Sequence, residues 1–214
     1  MDSEKPFNSQ ETLQSWSKLA TLYADVFMDL ELYQPSYDKL LERLKDHSTV
    51  LELGSGPGVI SKYLQIKRND LDILGTDVSP EMVEEMQRLV PEIQTGVLDA
   101  RNVDQLTELF DCIVSGFVIP YLSQDEVIEF LNDSTERLTN NGFIYISFVP
   151  GTFEKSGVIT GSTGDRMWFN YYPMDWISNQ LDQAGFTMLD SFKFAYPKGD
   201  DIEQHVALIA QKKG

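Results

Sequence analysis

The feature that most constrains the fold is an apolar segment that runs directly into a glycine-rich turn. Residues 50–53 (VLEL) precede residues 54–58 (GSGPG), and a helix is predicted over residues 59–65. Glycines let the backbone turn sharply and let a ligand approach closely, while the start of the next helix offers free N–H groups and a positive dipole end. This order favours a nucleotide-like ligand, although glycines in many such turns serve packing alone.

Around this turn, predicted strands and helices alternate, as the crossovers of a parallel sheet require. Two helices come first, at residues 11–29 and 37–45, separated by Pro35. The later helices are predicted at residues 81–89 and 124–138, the second of them stopped by Asn140, Asn141 and Gly142. The predicted strands are residues 49–53, 71–76, 93–98, 110–115 and 143–149.

The tail of the chain changes character after the fifth predicted strand. An excursion rich in Gly, Ser and Thr at residues 150–172 precedes a helix at residues 174–184. Two strands joined by a short turn then predict an antiparallel hairpin, formed by residues 187–196 and 205–211. Because 214 residues are enough for one full core, we expect a single α/β domain over residues 1–214.

The charge and composition limit the partners of this chain. It has 34 Asp and Glu against 17 Lys and Arg, a net charge of −17, which disfavours nucleic acid and anionic lipid as partners. Two His and one Cys make a metal site unexpected, and the single Cys112 agrees with a reducing compartment. Since neither a signal peptide nor a membrane-spanning apolar run is evident, we expect a cytoplasmic protein without a membrane partner.

A carboxylate stands at the end of the second predicted strand. Asp77 lies 21 positions after Gly56, where a side chain at the carboxyl edge of the neighbouring strand can accept both hydroxyls of a ribose. The alternative is that Asp77 only caps the helix that begins near Ser79, a role that Ser79 could fill itself. The spacing and the strand-end position favour the ribose role.

The ends of the third and fourth strands supply further polar and apolar candidates. Asp99 could accept the exocyclic amine of an adenine, with Leu98 or Ala100 beside the ring, or it could be a solvated loop residue. Ser115 and Phe117, at the end of the fourth strand, would face the part of the ligand that is transferred in a reaction. Since carboxyl ends of neighbouring parallel strands border one crevice, all of these residues are expected around the same ligand.

Taken together, these segments resemble the class I S-adenosylmethionine-dependent methyltransferase family over nearly the whole chain. The resemblance is carried by ELGSGPG, LGTDVSPEMVEEM, GVLDA, FDCIVSGFVIPYL, NNGFIYISF and the tail that ends HVALIAQKKG. It implies a three-layer αβα, Rossmann-like fold with a seven-stranded sheet in the order 3-2-1-4-5-7-6, strand 7 antiparallel. Within it, residues 1–47 would form a helical lid, 48–150 the cofactor-binding core and 151–214 the substrate side.

The resemblance also implies the cofactor, S-adenosyl-L-methionine, and a small-molecule methyl acceptor that attacks the methyl carbon in line. It places Tyr23 in the lid and Phe117 beside the reactive methyl. One departure is Pro120, where many relatives carry His; with His47 and His205 expected to be structural or solvated, no catalytic base is assigned. The implied cofactor contacts at the turn and the strand ends are Glu52, Gly54, Ser55, Gly56, Asp77, Val78, Met82, Leu98, Asp99, Ala100 and Ser115.

An aromatic cluster in the excursion after the fifth strand is the candidate acceptor site. Trp168 and Tyr171, with Phe169 and Tyr172 nearby, would form a substrate wall in which Arg166 binds an anionic group. The alternative is a local hydrophobic cluster that closes the loop.

Two other functions stay open at this point. A nicotinamide-dependent oxidoreductase shares the strand, the glycine turn and the acidic residue, but Val59 stands where its fingerprint has Gly or Ala, and a terminal hairpin is unusual in that fold. A non-catalytic cofactor-binding module of the same fold is the other alternative. The identity of the acceptor and the oligomeric state are not indicated by the sequence.

Overall fold

The computed structural model of the chain describes residues 9–28, 30–161, 163–199 and 201–214, with side chains throughout these ranges except at residues 9–10, 20–23 and 25–27. Seven strands form one sheet in the order β3-β2-β1-β4-β5-β9-β8. They are β1 Thr49–Leu53, β2 Asp72–Asp77, β3 Gln94–Val97, β4 Phe110–Gly116, β5 Leu138–Phe148, β8 Phe186–Lys198 and β9 Asp201–Lys212. Strands β6 Gly157–Thr160 and β7 Arg166–Phe169 form a separate antiparallel pair.

The order of the main sheet confirms the predicted topology, since β8 and β9 are its sixth and seventh strands. Strands β1 to β5 pair in parallel, whereas β9 is antiparallel to both β5 and β8. The helices are α1 Ser9–Phe27, α2 Gln34–Leu41, α3 Val59–Lys67, α4 Pro80–Leu89, α5 Gln124–Arg137 and α6 Met174–Gln183. Among the helices described, none is both long and apolar enough to cross a bilayer.

Helices cover both faces of the sheet because its strands alternate their side chains between two hydrophobic cores. Leu51 and Leu53 of β1 belong to the core that includes α5 and α6, while Val50 belongs to the core with α2, α3 and α4. The predicted three-layer αβα arrangement is therefore confirmed. Glu52 shares the face of Val50, so its carboxyl is directed into an apolar layer at the end of β1.

Three local predictions were wrong, each for a backbone reason. Pro35 lies in the first turn of α2 and not between two helices, a position that tolerates its missing N–H. Helix α5 ends at Arg137, and the Asn-Asn-Gly segment belongs to β5, where Asn141 has φ +63 beside a register shift against β4. Residues 150–172, predicted as a loop rich in Gly, Ser and Thr, contain β6 and β7.

Candidate active site

The glycine turn lies at the carboxyl ends of the central strands. Gly54, Gly56 and Gly58 have φ values of +66, +55 and +90, in the left-handed region that favours glycine. A Cβ at Gly54 would lie 2.2 Å from Cγ2 of Val118, which follows β4. The backbone N–H of Ser55 donates to the Thr76 carbonyl at 2.8 Å, so the turn is tied to the end of β2.

Asp77 links the glycine turn to the start of α4. One carboxylate oxygen accepts from the Gly56 N–H at 2.9 Å, and the other accepts from the Ser79 N–H at 2.9 Å. Burial raises the pKa of Asp77, which these two hydrogen bonds oppose. Ser79 itself caps α4 by accepting from the Met82 N–H. Asp77 therefore does more than cap a helix, because it also fixes the turn beside the cleft.

Glu52 is a buried carboxyl behind the glycine turn, with 2% of its surface exposed. Its Oε2 accepts from the backbone N–H of Ser61 at 3.0 Å and from the Ser61 hydroxyl. Burial raises the pKa of Glu52 to about 7, which the hydrogen bonds from Ser61 oppose. A carboxyl group with this pKa is able to exchange its proton for a cationic ligand near neutral pH.

Asp99 is held by a neighbouring arginine. Its two oxygens accept from the Arg101 guanidinium at 2.6 to 3.0 Å, and Arg101 also reaches Glu126 at 3.2 Å. Although burial opposes it, the Arg101 hydrogen bonds hold the pKa of Asp99 below its ordinary value. Asp99 and Ala100 line the cleft, whereas Leu98 packs against the core on the α5 and α6 face.

The two residues predicted at the end of β4, Ser115 and Phe117, lie in different surroundings. Ser115 is fully buried within the sheet, lies outside the cleft lining, and its hydroxyl has no hydrogen-bond partner among the described residues. Phe117 does line the cleft, with φ +58, a costly backbone conformation for a bulky side chain. Its N–H donates to the Ser147 carbonyl at 3.0 Å, and strain of this kind is concentrated at functional sites.

Helix α1 and the β6–β7 hairpin cover the cleft together. The Ser15 hydroxyl donates to the Arg166 carbonyl at 2.8 Å, and the Trp168 N–H donates to the Thr12 hydroxyl at 3.2 Å. Aromatic rings continue this cover, with Trp16 against Tyr121 at 5.6 Å and Tyr121 against Phe169 at 5.8 Å between centroids. Tyr23 lies in α1, but its side chain is outside the described residues.

The three predicted acceptor-site residues also separate. Tyr171 lines the cleft, but Arg166 and Trp168 do not. Arg166 is 59% exposed and lies 3.9 Å from Glu11, and the Trp168 indole N–H donates to Asn170 at 2.8 Å. The cause is the pleat of β7, a strand absent from the sequence prediction, which directs alternate residues to opposite faces. Phe169 of this strand lines the cleft.

A polar chain at the far wall was missed by the sequence analysis. Tyr33 Oη and His205 Nδ1 are 2.6 Å apart, and His205 Nε2 lies 3.1 Å from Glu203. Lys198 Nζ donates to the other oxygen of Glu203 at 2.7 Å. All four residues line the same cleft. His205, which was expected to be structural or solvated, is 7% exposed and is therefore not solvated. Tyr33 and His205 are 172 positions apart, so no local pattern could have joined them.

The cleft formed by these elements has a volume of about 470 Å³. The predicted residues that it brings together are Glu52, Gly54, Ser55, Gly56, Asp77, Val78, Met82, Asp99, Ala100, Phe117 and Tyr171. Within the described part of the chain, no group of three or more His, Cys, Asp or Glu side chains could hold a metal ion. The arrangement can hold a polar, nucleoside-like ligand on one side and a second, aromatic-walled ligand on the other.

Comparison with known proteins shows what this chain is similar to. Residues 50–142 match a family model described as a methyltransferase domain. The chain is 29% identical over 129 residues to a release factor glutamine methyltransferase of Lactococcus lactis subsp. lactis, covering 55% of this chain and 45% of that protein. It is 25% identical over 80 residues to a putative methyltransferase 235L of Invertebrate iridescent virus 6, covering 37% of this chain and 30% of the relative. The match spans less than half the length of either relative.

Solved structures extend the likeness of the fold to nearly the whole chain. A 1,6-didemethyltoxoflavin-N1-methyltransferase of Burkholderia thailandensis is 17% identical with a TM-score of 0.74, covering 99% of this chain and 94% of that one. A methyltransferase of Clostridium acetobutylicum is 13% identical with a TM-score of 0.72, covering 93% and 99%. The family model and the sheet order agree: residues 50–142 match a methyltransferase domain, and the chain has the Rossmann-like fold of these solved methyltransferases.

Proposed function

We propose that this chain is an S-adenosyl-L-methionine-dependent methyltransferase that acts on a small-molecule acceptor. The observation that carries the proposal is the Asp77 carboxylate, which the N–H groups of Gly56 and Ser79 hold at the edge of the cleft. A carboxylate has about four acceptor sites, so one fixed by two backbone amides still has capacity for the two hydroxyls of a ribose.

The remaining contacts follow the cleft outward from Asp77. Gly54, Ser55 and Gly56 would face the methionine moiety, and the buried Glu52 would support its ammonium group from behind the turn. Val78, Met82, Asp99 and Ala100 would surround the adenine, with the Asp99 carboxylate oriented by Arg101. Leu98 and Ser115 lie outside the lining and have no contact in this proposal.

The sulfonium of S-adenosyl-L-methionine supplies an electrophilic methyl group, so the protein mainly has to align the acceptor and exclude water. Phe117, strained at the tip of β4, would stand beside the transferring group. Trp16, Tyr121 and Phe169 cover the cleft and would exclude water from it. Tyr23 stays a predicted lid residue.

A small acceptor is favoured by the size of the cleft and by the charge of the chain. About 470 Å³ has to hold both ligands under the aromatic cover, and a net charge of −17 opposes nucleic acid. Among the similar structures, the Burkholderia enzyme contains S-adenosylhomocysteine and 1,6-didemethyltoxoflavin. The Lactococcus relative is named for a protein substrate, so the acceptor class needs its own test.

Calorimetric titration with S-adenosylhomocysteine and with NADH tests the cofactor. We expect the wild-type chain to bind the former and not the latter, and Asp77→Asn to weaken that binding by about 10- to 100-fold, as for hydrogen bonds to a charged group. Asp72→Asn is the matched control, because Asp72 is exposed at the opposite end of the same strand. Tight NADH binding, or an Asp77→Asn protein with full affinity, would overturn the proposal.

A second measurement separates an enzyme from a binding module. S-adenosylhomocysteine release is followed by mass spectrometry during incubation with S-adenosyl-L-methionine and a panel of phenols, amines, carboxylates and intact proteins. The proposal requires release that depends on a small acceptor. Cofactor binding without release in any reaction would favour the non-catalytic module, and release only with proteins would move the chain to a different acceptor class.

A further inference from the structure

A chain of hydrogen bonds crosses the wall of the cleft that faces the glycine turn. It runs from Tyr33 Oη to His205 Nδ1 at 2.6 Å, and from His205 Nε2 to Glu203 Oε2 at 3.1 Å. Lys198 closes the chain by donating to Glu203 Oε1 at 2.7 Å. Tyr33 and His205 are 6% and 7% exposed, so the inner part of this chain is largely shielded from water.

The charges around His205 decide which way each hydrogen bond points. Although burial opposes it, Lys198 and His205 hold the pKa of Glu203 below its ordinary value, so Glu203 is a carboxylate at neutral pH. Burial lowers the pKa of His205, which Glu203 opposes. A neutral imidazole therefore donates its Nε2–H to Glu203, and its Nδ1 lone pair accepts from the Tyr33 hydroxyl.

This chain of hydrogen bonds lies next to the place where methyl transfer is proposed. The Tyr33 ring packs edge-on to Phe117 at 5.4 Å between centroids, and Phe117 packs against the His205 ring at 5.0 Å. Val118, the next residue, is the one that contacts Gly54. Tyr33 is thereby packed against Phe117, at the tip of β4.

Resting on the proposed methyltransferase function, we propose that Tyr33, His205 and Glu203 form a proton relay for the methyl acceptor. Tyr33 is the catalytic group that touches the acceptor, while His205 and Glu203 are positioning residues that act through it. The acceptor is an aromatic molecule, because Trp16, Phe117, Tyr121 and Tyr196 line the cleft. It carries a weakly acidic O–H or N–H, because the relay acts only on an acceptor that has a proton to lose.

The relay accounts for the proton that the acceptor loses during methyl transfer. A lone pair on the acceptor oxygen or nitrogen would form the new bond to the methyl carbon, and the electron pair of the C–S bond that breaks would stay on the sulfonium sulfur, which would become neutral. The acceptor proton passes to Tyr33 Oη as the Tyr33 proton passes to His205 Nδ1. The imidazolium that results faces the Glu203 carboxylate, which stabilises it until the proton leaves to solvent.

A pair of probe acceptors separates the relay from a structural role of the same residues. 2-Naphthol has a hydroxyl proton to lose. Isoquinoline is a bicyclic molecule of similar size, and its ring nitrogen carries no proton when the molecule is neutral. We expect Tyr33→Phe and His205→Gln to lower kcat for 2-naphthol by about 100-fold, as for loss of a general base. Methylation of isoquinoline at pH 8 should change by less than about threefold.

The pH profile supplies a readout that a purely structural role would not move. The wild-type rate with 2-naphthol should rise with pH through the His205 pKa, which lies below the ordinary 6.5. The titratable and charged groups that face His205 are Tyr33, Tyr196, Lys198 and Glu203. Removing the carboxylate in Glu203→Gln should move this limb to lower pH, and His205→Gln should abolish it. With isoquinoline as the acceptor, at pH values above the pKa of isoquinoline, the rate should not rise through the His205 pKa. This difference between the two acceptors distinguishes an effect of His205 on the acceptor from an effect of groups that bind the cofactor.

Two controls make every outcome decisive. The chain has two histidines, so His47→Asn leaves His205 as the single imidazole whose NMR titration is followed, and it should keep wild-type rates. Binding of S-adenosylhomocysteine is measured for each variant, because its loss would concern the proposed cofactor site and not the relay. The relay is refuted if the variants slow both acceptors equally, or if 2-naphthol neither binds to nor is methylated by a protein that binds the cofactor.

Discussion

The two sides of the cleft are built in different ways. The side proposed for the cofactor comes from residues 52–101, in consecutive strand–helix units, and its carboxylates are fixed by backbone amides such as those of Gly56 and Ser79. The side proposed for the acceptor joins residues 12–37 to residues 117–205 through side chains, as in the Tyr33 and His205 pair. Backbone amides place a charge whatever the neighbouring side chains are, whereas side-chain contacts change with single substitutions. The cofactor side should therefore be intolerant of substitution and the acceptor side tunable.

The largest effect is expected from Gly54→Ala, on the cofactor side. The new Cβ would lie 2.2 Å from Val118 at a φ of +66, so strain and overpacking should together destabilise the protein by about 3 kcal/mol or more. Affinity for S-adenosylhomocysteine should fall by more than about 100-fold as the turn shifts. Thermal unfolding and calorimetry measure the two effects.

Gly157→Ala is the matched control, because a Cβ there would meet nothing within 4 Å. It should leave both stability and affinity near wild type. If the two alanine variants had equal stability and equal affinity, the glycine turn would not be rigid. The cofactor side would then be as tolerant of substitution as the acceptor side.

A second large effect concerns the proton on Glu52. Its pKa is raised from 4.5 to about 7 in the folded chain, so the folded state binds the proton more tightly than the unfolded state does. Stability should therefore fall as pH rises from about 4.5 to about 7, by at most about 3 kcal/mol from this group. Asp77, whose pKa burial also raises, acts in the same direction, so Glu52→Gln should flatten the curve only in part.

The same group should couple cofactor binding to protons. A cofactor ammonium beside Glu52 favours the carboxylate, so binding near pH 6.5 should release up to about three-quarters of a proton, the amount that a group with a pKa of about 7 carries there. Calorimetry in buffers of different ionisation enthalpy measures this release, and Glu52→Gln should abolish it. The exposed Glu84→Gln on α4 is the control. Proton release that survives in Glu52→Gln would assign it to another group.

A smaller effect is expected where the cover of the cleft is joined. Ser15→Ala removes the hydrogen bond from α1 to the Arg166 carbonyl and should cost about 1 kcal/mol of stability, seen as faster proteolysis of the α1 segment. Ser191→Ala, on the exposed surface of β8, should change nothing. An unchanged cleavage rate in Ser15→Ala would show that the aromatic contacts alone hold the cover.

The smallest effect should come from Arg166→Ala. Because this side chain is 59% exposed beside Glu11 and lies outside the cleft lining, KM for any acceptor should change by less than about threefold and stability by less than about 0.5 kcal/mol. Tyr171→Ala, which alters the lining itself, should raise KM more. A tenfold rise in KM for an anionic acceptor in Arg166→Ala would restore the anion-binding role inferred from the sequence.

Several features were predictable because they depend on short segments. Strand β1 was predicted with the bounds Thr49–Leu53 that the structure has, and the family resemblance predicted the confirmed strand order. Asp77 was predicted at the cleft because a strand end and a glycine turn, 21 positions apart, meet in any parallel sheet of this kind. The roles of these residues stay predictions until the binding experiments are done.

The errors came from features that neighbouring residues do not specify. The β6–β7 hairpin was not predicted, since its two short strands are stabilised partly by contacts with α1. Without this hairpin, the sequence did not indicate that Arg166 and Trp168 lie outside the cleft lining. Tyr33 and Tyr196, two of the partners of His205, lie on other elements, so the sequence analysis did not place His205 at the cleft.

The amino-acid pattern by itself determined the alternation of strands and helices, the glycine turn and the carboxylates at the strand ends, since each follows from local backbone preference and the period of the apolar residues. Only the tertiary structure decided which aromatic rings face the cleft and that Tyr33, His205 and Glu203 meet. Such contacts form where the β8–β9 hairpin packs against residues 31–33, and distance along the sequence carries no record of that packing.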